Sequence, residues 1–162
     1  MQVDEIRELQ ALMRRKEWAS VYAMLDDARK RAINADDLKS ETYWRVAALG
    51  REGRYQEAIQ LLRDNASRFN SQSSVHHELA SFLVKLGHEQ DALEELKKAP
   101  IEEEMGEFYG LAIDAKFFLL YLLAKNGDRS VRDRLNEIPD DYRHITMGGK
   151  FLTKNDIAAL LK

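Results

Sequence analysis

The stretch Gly53-Arg54-Tyr55-Gln56-Glu57-Ala58-Ile59 returns in altered form as Gly87-His88-Glu89-Gln90-Asp91-Ala92-Leu93, with each equivalent position 34 residues further along. The same shift places Leu49 on Leu83 and Leu62 on Leu96. A fixed period of this length indicates an array of stacked helical units.

Each copy predicts two amphipathic helices joined by a tight turn. Apolar residues recur three and four positions apart on both sides of Gly53 and of Gly87, which is the helical spacing. Glycine suits the left-handed residue that commonly ends a helix. Ala58 and Ala92 lie one turn into the second helix, where a small side chain lets two helices approach closely.

These residues resemble the tetratricopeptide repeat, a helix–turn–helix unit with the signature W-x2-L-G-x2-Y, then A-x3-F, then P. Gly53 to Ile59 matches the turn and the start of the second helix, and Gly87 to Leu93 is the weaker example. The resemblance implies an all-α fold, an αα-superhelix. The chain departs from the signature at the early tryptophan, which falls on Thr42 and His76, and at the final proline, which falls on Asn70 and Glu104.

The spacing predicts a single helical-repeat domain over residues 1–162. Its approximate helix pairs are 2–32, 36–69, 72–99 and 101–138, with a capping segment over 140–162. Asp36 or Asp37 is expected to cap the helix of the second pair. In the capping segment, residues 142–152 are expected to form either a small hairpin about Gly148-Gly149 or a loop. Thr153 and Asp156 resemble a capping box before a last short helix.

Composition excludes several classes of function. The sequence holds no cysteine, which excludes disulfides and thiolate chemistry. A net charge of -3 does not favour nucleic acid as a partner. The N-terminus lacks the pattern of a signal peptide, and the apolar run 117–124 is too short to cross a bilayer. We therefore expect a cytoplasmic protein that binds no membrane.

No group of residues carries the spacing of a catalytic or metal site. His76-His77-Glu78 lacks the second histidine of the H-E-x-x-H motif, because Ser81 stands at that position. Asp140-Asp141 with His144 is more typical of a turn than of a metal site, and Gly148-Gly149-Lys150 lacks the spacing of a phosphate loop. We expect no enzyme activity, no metal and no cofactor.

The tetratricopeptide resemblance implies a concave groove lined by the first helix of each pair. Carried over to this sequence, the partner-binding positions are Arg14, Tyr43, Trp44, Arg51, His77, Glu78, Ser81, Lys85 and Tyr121. Tyr43 and Trp44 diverge by about 100° on a helix, so both cannot face one core. Exposed aromatic residues and arginines are the usual anchors of binding energy.

The sequence therefore favours a non-enzymatic protein-binding module, an adaptor or chaperone-like protein that holds a protein or peptide in its groove. One alternative is an immunity protein that neutralises a partner toxin, for which Glu102 to Glu107 would offer an acidic patch. Another is an RNA-binding helical repeat using the basic clusters 14–16 and 29–31. Acidic neighbours balance those clusters, so nucleic acid is the less favoured partner.

Overall fold

A computed structural model describes the whole chain, Met1–Lys162, and confirms the all-α prediction. Ten α-helices and two short 3-10 turns account for most of the chain, with one small two-stranded sheet. The helices are α1 Val3–Arg15, α2 Trp18–Arg31, α3 Ala35–Glu52, α4 Tyr55–Asp64, α5 Gln72–Lys85, α6 Glu89–Lys97, α7 Ile101–Glu104, α8 Tyr109–Lys125, α9 Val131–Arg134 and α10 Lys154–Leu160. The strands are β1 Arg143–Ile145 and β2 Phe151–Thr153. None of the helices has the length and apolar character needed to span a membrane.

The contacts divide the chain into two compact units, Met1–Asn70 and Ser71–Lys162. Unit 1 contains α1 to α4, in which each helix packs against the next. Its core is a cluster around Leu9, Val21, Leu25 and Ala48, all fully buried. The expectation of one domain over 1–162 stays a prediction.

The turn between the helices of a pair needs a left-handed residue in both units. Gly53 ends α3 with φ +88°, and Gly87 follows α5 with φ +81°, as the repeat predicts. In the first pair the same position falls on Lys16, whose φ of 59° is the only positive value at a residue other than glycine. The amide N–H groups of Lys16 and Glu17 donate to the last carbonyls of α1, so the turn is closed without a glycine.

Unit 2 is built around α8. This helix buries ten of its residues and packs against α5, α6, α7, α9, α10 and β1. A helix that is apolar around most of its circumference belongs inside a core. The predicted fourth pair over 101–138 therefore differs from the others: one long central helix is flanked by the single turns α7 and α9.

The hairpin alternative for residues 142–152 is the one observed. β1 and β2 pair antiparallel, with His144 opposite Leu152 and Ile145 opposite Phe151. The connection is wider than the predicted two-residue glycine turn, because Thr146 pairs with Lys150 and three residues lie between them. Gly149 takes φ +79°, as expected when a three-residue loop ends in a left-handed residue.

One of the two predicted helix caps is observed. Thr153 and Asp156 form the predicted capping box of α10, and Ser71 caps α5 by accepting from the Ser74 amide. The prediction of Asp36 or Asp37 as a cap is wrong: Asn34 caps α3 and accepts from the Asp37 amide at 2.8 Å. The Asp37 side chain instead accepts a hydrogen bond from the Ile33 amide.

Candidate functional site

In unit 1, the residues predicted to bind a partner lie on α1 and α3. Tyr43 is 55% exposed, whereas Trp44 is partly buried against the core cluster, and their rings meet edge to face at 5.2 Å. Arg14 and Arg51 are both exposed and stand in the last turns of their helices. Arg51 Nη1 lies 3.5 Å from Met13 Sδ, so the C-terminal ends of α1 and α3 are neighbours.

Neither of these two arginines forms an ion pair, although most arginines of unit 1 do. Arg45 binds Glu41 and Asp26, and Arg54 binds Glu52 and Glu57. Arg51 donates one weak hydrogen bond to Met13 Sδ, so the two guanidinium groups keep most of their donors for a carboxylate or phosphate from outside. The unit thus presents an exposed tyrosine and two arginines without a carboxylate partner on its first helices.

A hollow of about 510 Å³ in unit 1 lies away from these predicted residues, beside α2 and α4. Its lining includes Tyr22, Arg45, Arg54 and Glu57. These polar groups already have partners within the unit. The Tyr22 hydroxyl donates to Glu52 at 2.6 Å, and the Arg54 guanidinium lies over the Tyr22 ring. Burial and the bond to Glu52 raise the pKa of Tyr22 to about 12. The hollow is therefore a poor candidate, since its charges already have partners.

In unit 2, three of the predicted residues come together. Ser81 and Lys85 from α5 and Tyr121 from α8 line one pocket of about 360 Å³. The hairpin forms its remaining wall through residues that the sequence did not single out as binding residues, among them His144, Thr146 and Lys150. Lys125 of α8 also lines it, but its ammonium is bonded to Glu89.

His77 lies underneath the hairpin rather than on an open surface. Its ring meets His144 edge to face at 5.2 Å and Phe118 at 5.5 Å. Its Nε2 atom is buried with no hydrogen-bond partner. Burial, with a smaller contribution from His144, lowers the pKa of His77 to about 3, so the ring is neutral near pH 7.

His144 fixes the hairpin onto α8. It is 2% exposed, and its ring stacks on Phe117 at 5.0 Å and on Phe118 at 5.5 Å. Burial lowers its pKa, while Asp114, 4.0 Å from Nδ1, acts in the opposite direction. Next to it, Tyr142 donates a hydrogen bond to Asp114, and burial together with this bond raises the pKa of Tyr142.

Glu78, the remaining predicted residue, is partly buried on α5. Burial raises the pKa of its carboxyl group. It is not among the residues that line the unit 2 pocket. The acidic patch Glu102 to Glu107 is also partly engaged within unit 2: Glu102 binds the buried Lys116 at 2.8 Å, and Glu104 binds the start of α5.

Comparisons with known proteins return no match: no family model, no curated protein and no solved structure resembles the chain.

Proposed function

We propose that this chain is a non-enzymatic protein-binding module, built from tetratricopeptide-like helical hairpins that follow one another as an αα-superhelix. Three hairpins with equivalent turns at Lys16, Gly53 and Gly87 support the repeat reading. Ala58 and Ala92, both fully buried, support the close crossing of helices within a pair.

The observation that carries the proposal is that Tyr43, Arg14 and Arg51 are all exposed on the first helices α1 and α3 of unit 1. Tyrosine and arginine are enriched among residues that dominate binding energy. Because the two guanidinium groups have no carboxylate partner in the chain, they complement a partner that supplies carboxylates. The partner is accordingly an acidic segment of another protein, in the manner of an adaptor or chaperone-like protein.

The test is charge reversal with a matched control inside the same unit. A photoreactive residue placed at Tyr43 should crosslink one protein of the native host. Arg14→Glu with Arg51→Glu should abolish that crosslink, because reversal replaces attraction by repulsion. Lys30→Glu with Arg63→Glu changes charge equally on the second helices α2 and α4 and should leave it intact.

Two outcomes contradict the proposal. If the control pair loses the partner while the first-helix pair keeps it, the second helices carry the binding. If the crosslinked material is nucleic acid and disappears on nuclease treatment, the RNA-binding alternative replaces the protein-binding one. Circular dichroism of each variant separates lost binding from lost folding, since exposed substitutions usually change stability by about 0.5 kcal/mol or less.

A further inference from the structure

We propose that the pocket between α5, α8 and the hairpin binds a small amphipathic organic anion, an apolar ring or chain that carries a carboxylate. This inference goes beyond protein binding, because it concerns unit 2 alone and residues that the unit 1 surface does not include. Its test is independent of the test of the protein-binding proposal.

The size and the walls of the pocket fit a small molecule. Its volume of about 360 Å³ lies within the range of about 300–1,000 Å³ typical of ligand pockets. Apolar side chains come from all three elements: Val84 from α5, Phe118 and Leu122 from α8, and Met147 and Leu152 from the hairpin. Burying an apolar group of the ligand against them supplies the main driving force for binding.

The polar groups of the pocket favour a negative charge. Lys85, Lys125 and Lys150 all line it, and no aspartate or glutamate does. Glu89 neutralises Lys125, whereas Lys85 and Lys150 form no ion pair. Lys85 reaches the hairpin tip, since a Cβ added to Gly148 would lie 3.6 Å from its Nζ. The Lys85 ammonium thus lies at the tip of the hairpin and Lys150 lines the same pocket, so a carboxylate would be held at this end of the pocket.

The remaining polar groups orient the ligand. Tyr121 lines the pocket and its hydroxyl has no hydrogen-bond partner in the chain, so the hydroxyl is available to donate to the carboxylate. The Ser81 hydroxyl already donates to the His77 carbonyl. His144, almost fully buried at this wall and stacked on Phe118, presents a ring that is neutral near pH 7 to the apolar part of the ligand. The anion therefore faces the hairpin tip and the apolar body faces α8.

The experiment uses the full chain and three eight-carbon probes that differ only in their head group: octanoate, octanol and octylamine. Binding is followed by displacement of the fluorescent sulfonate 1-anilinonaphthalene-8-sulfonate and by amide chemical shifts. Octanoate should displace the dye saturably at one site and shift the amides of Gly148 and Gly149. Octanol should bind roughly tenfold more weakly, and octylamine should not compete.

Lysine variants test whether the positive charge of the pocket holds the carboxylate of octanoate. Lys85→Ala with Lys150→Ala should weaken octanoate binding roughly tenfold and leave octanol unchanged. The control, Lys97→Ala with Lys162→Ala, removes two exposed lysines outside the pocket and should have no effect. Arg14→Glu with Arg51→Glu should also bind octanoate normally, which separates this site from the protein-binding surface.

Three results would overturn the inference: equal competition by octylamine, an equal loss in the Lys97 and Lys162 control, or no shift at the hairpin amides. Since the four lysines in these variants are exposed, each variant is expected to fold, and its circular dichroism spectrum verifies this. Tyr121→Phe, which removes only the hydroxyl, provides a second and milder test. It should weaken octanoate and leave octanol unaffected.

Discussion

Burial of the single residue His77 makes the stability of the folded chain depend on pH. In the folded chain its pKa is about 3, whereas the pKa of an exposed histidine is about 6.5. Between these two values the unfolded chain binds a proton that the folded chain does not. The contribution of His77 to stability is therefore fully present above about pH 6.5 and is lost as the pH falls toward 3.

We therefore expect the free energy of unfolding to fall with acidification by up to about 1.4 kcal/mol per pH unit from this group alone. His77→Leu removes the titrating ring, so its stability should depend less steeply on pH between 6 and 4. Urea unfolding of both proteins at pH 7, 6, 5 and 4 measures the difference. His88→Leu, which changes an exposed histidine just before α6, is the control. Parallel curves for wild type and His77→Leu would show that His77 does not titrate as described.

Single residues also show why the sequence predicts some residues of the two candidate sites and not others. The 100° divergence of adjacent helical residues requires Tyr43 and Trp44 to face different surroundings, and the structure exposes Tyr43 and packs Trp44 inward. His144 and Lys150 carry no such local signal. They reach the pocket only because the hairpin folds back onto α8, and nothing in residues 142–152 themselves specifies that packing.

At the scale of elements, Glu104 joins two helices that are distant in sequence. Its carboxylate accepts from Ser71 Oγ at 2.7 Å, from the Gln72 amide at 2.7 Å and from the Ser73 amide at 3.1 Å. The first amides of a helix have no partner within it, so α7 supplies the cap that α5 needs. Although burial acts in the opposite direction, these bonds lower the pKa of Glu104, and the carboxylate stays charged at neutral pH.

Glu104→Ala should destabilise the protein by about 1–3 kcal/mol, because it leaves the α5 amides without their acceptor and detaches α7. Glu103→Ala is a matched control, since Glu103 is exposed and forms no ion pair or hydrogen bond. It should change stability by no more than about 0.5 kcal/mol. Thermal and urea unfolding at pH 7 measure both. Equal stabilities of the two variants would mean that Ser71 alone caps the helix.

Elements also divide into those that local sequence determines and those that packing determines. The pairs α3–α4 and α5–α6 follow from the repeat, because glycine at the turn and alanine at the crossing are local requirements. The α7–α8 region departs from the repeat, because α8 is a long helix with apolar residues around most of its circumference. It therefore packs at the centre of unit 2 and does not pair with one partner helix. The cap of α3 was misplaced because asparagine and aspartate are nearly equivalent caps, and Asn34, Asp36 and Asp37 stand close together.

At the scale of the whole molecule, each unit has a core of its own. The unit 2 core is a continuous cluster with Phe117, Leu120, Ile138 and Ile157 almost fully buried at its centre. Residues from α8, α9, β2 and α10 all contribute to it, so the C-terminal segment is part of the core and not an appendage. That this segment caps a helical array stays a prediction.

A fragment of residues 71–162 should therefore fold without the rest of the chain. Its length exceeds the limit of about 40 residues below which domains usually need disulfides or metals, and it contains the complete cluster around α8. We expect helical circular dichroism minima and a single cooperative thermal transition. Ending the fragment at residue 140 removes β1, β2 and α10 and should abolish that transition, because Leu152, Ile157 and Leu161 leave the core and expose the apolar side of α8. A cooperative transition in the shortened fragment would show that the C-terminal segment only covers the core, and a broad transition in the complete one would show that unit 2 depends on residues 1–70.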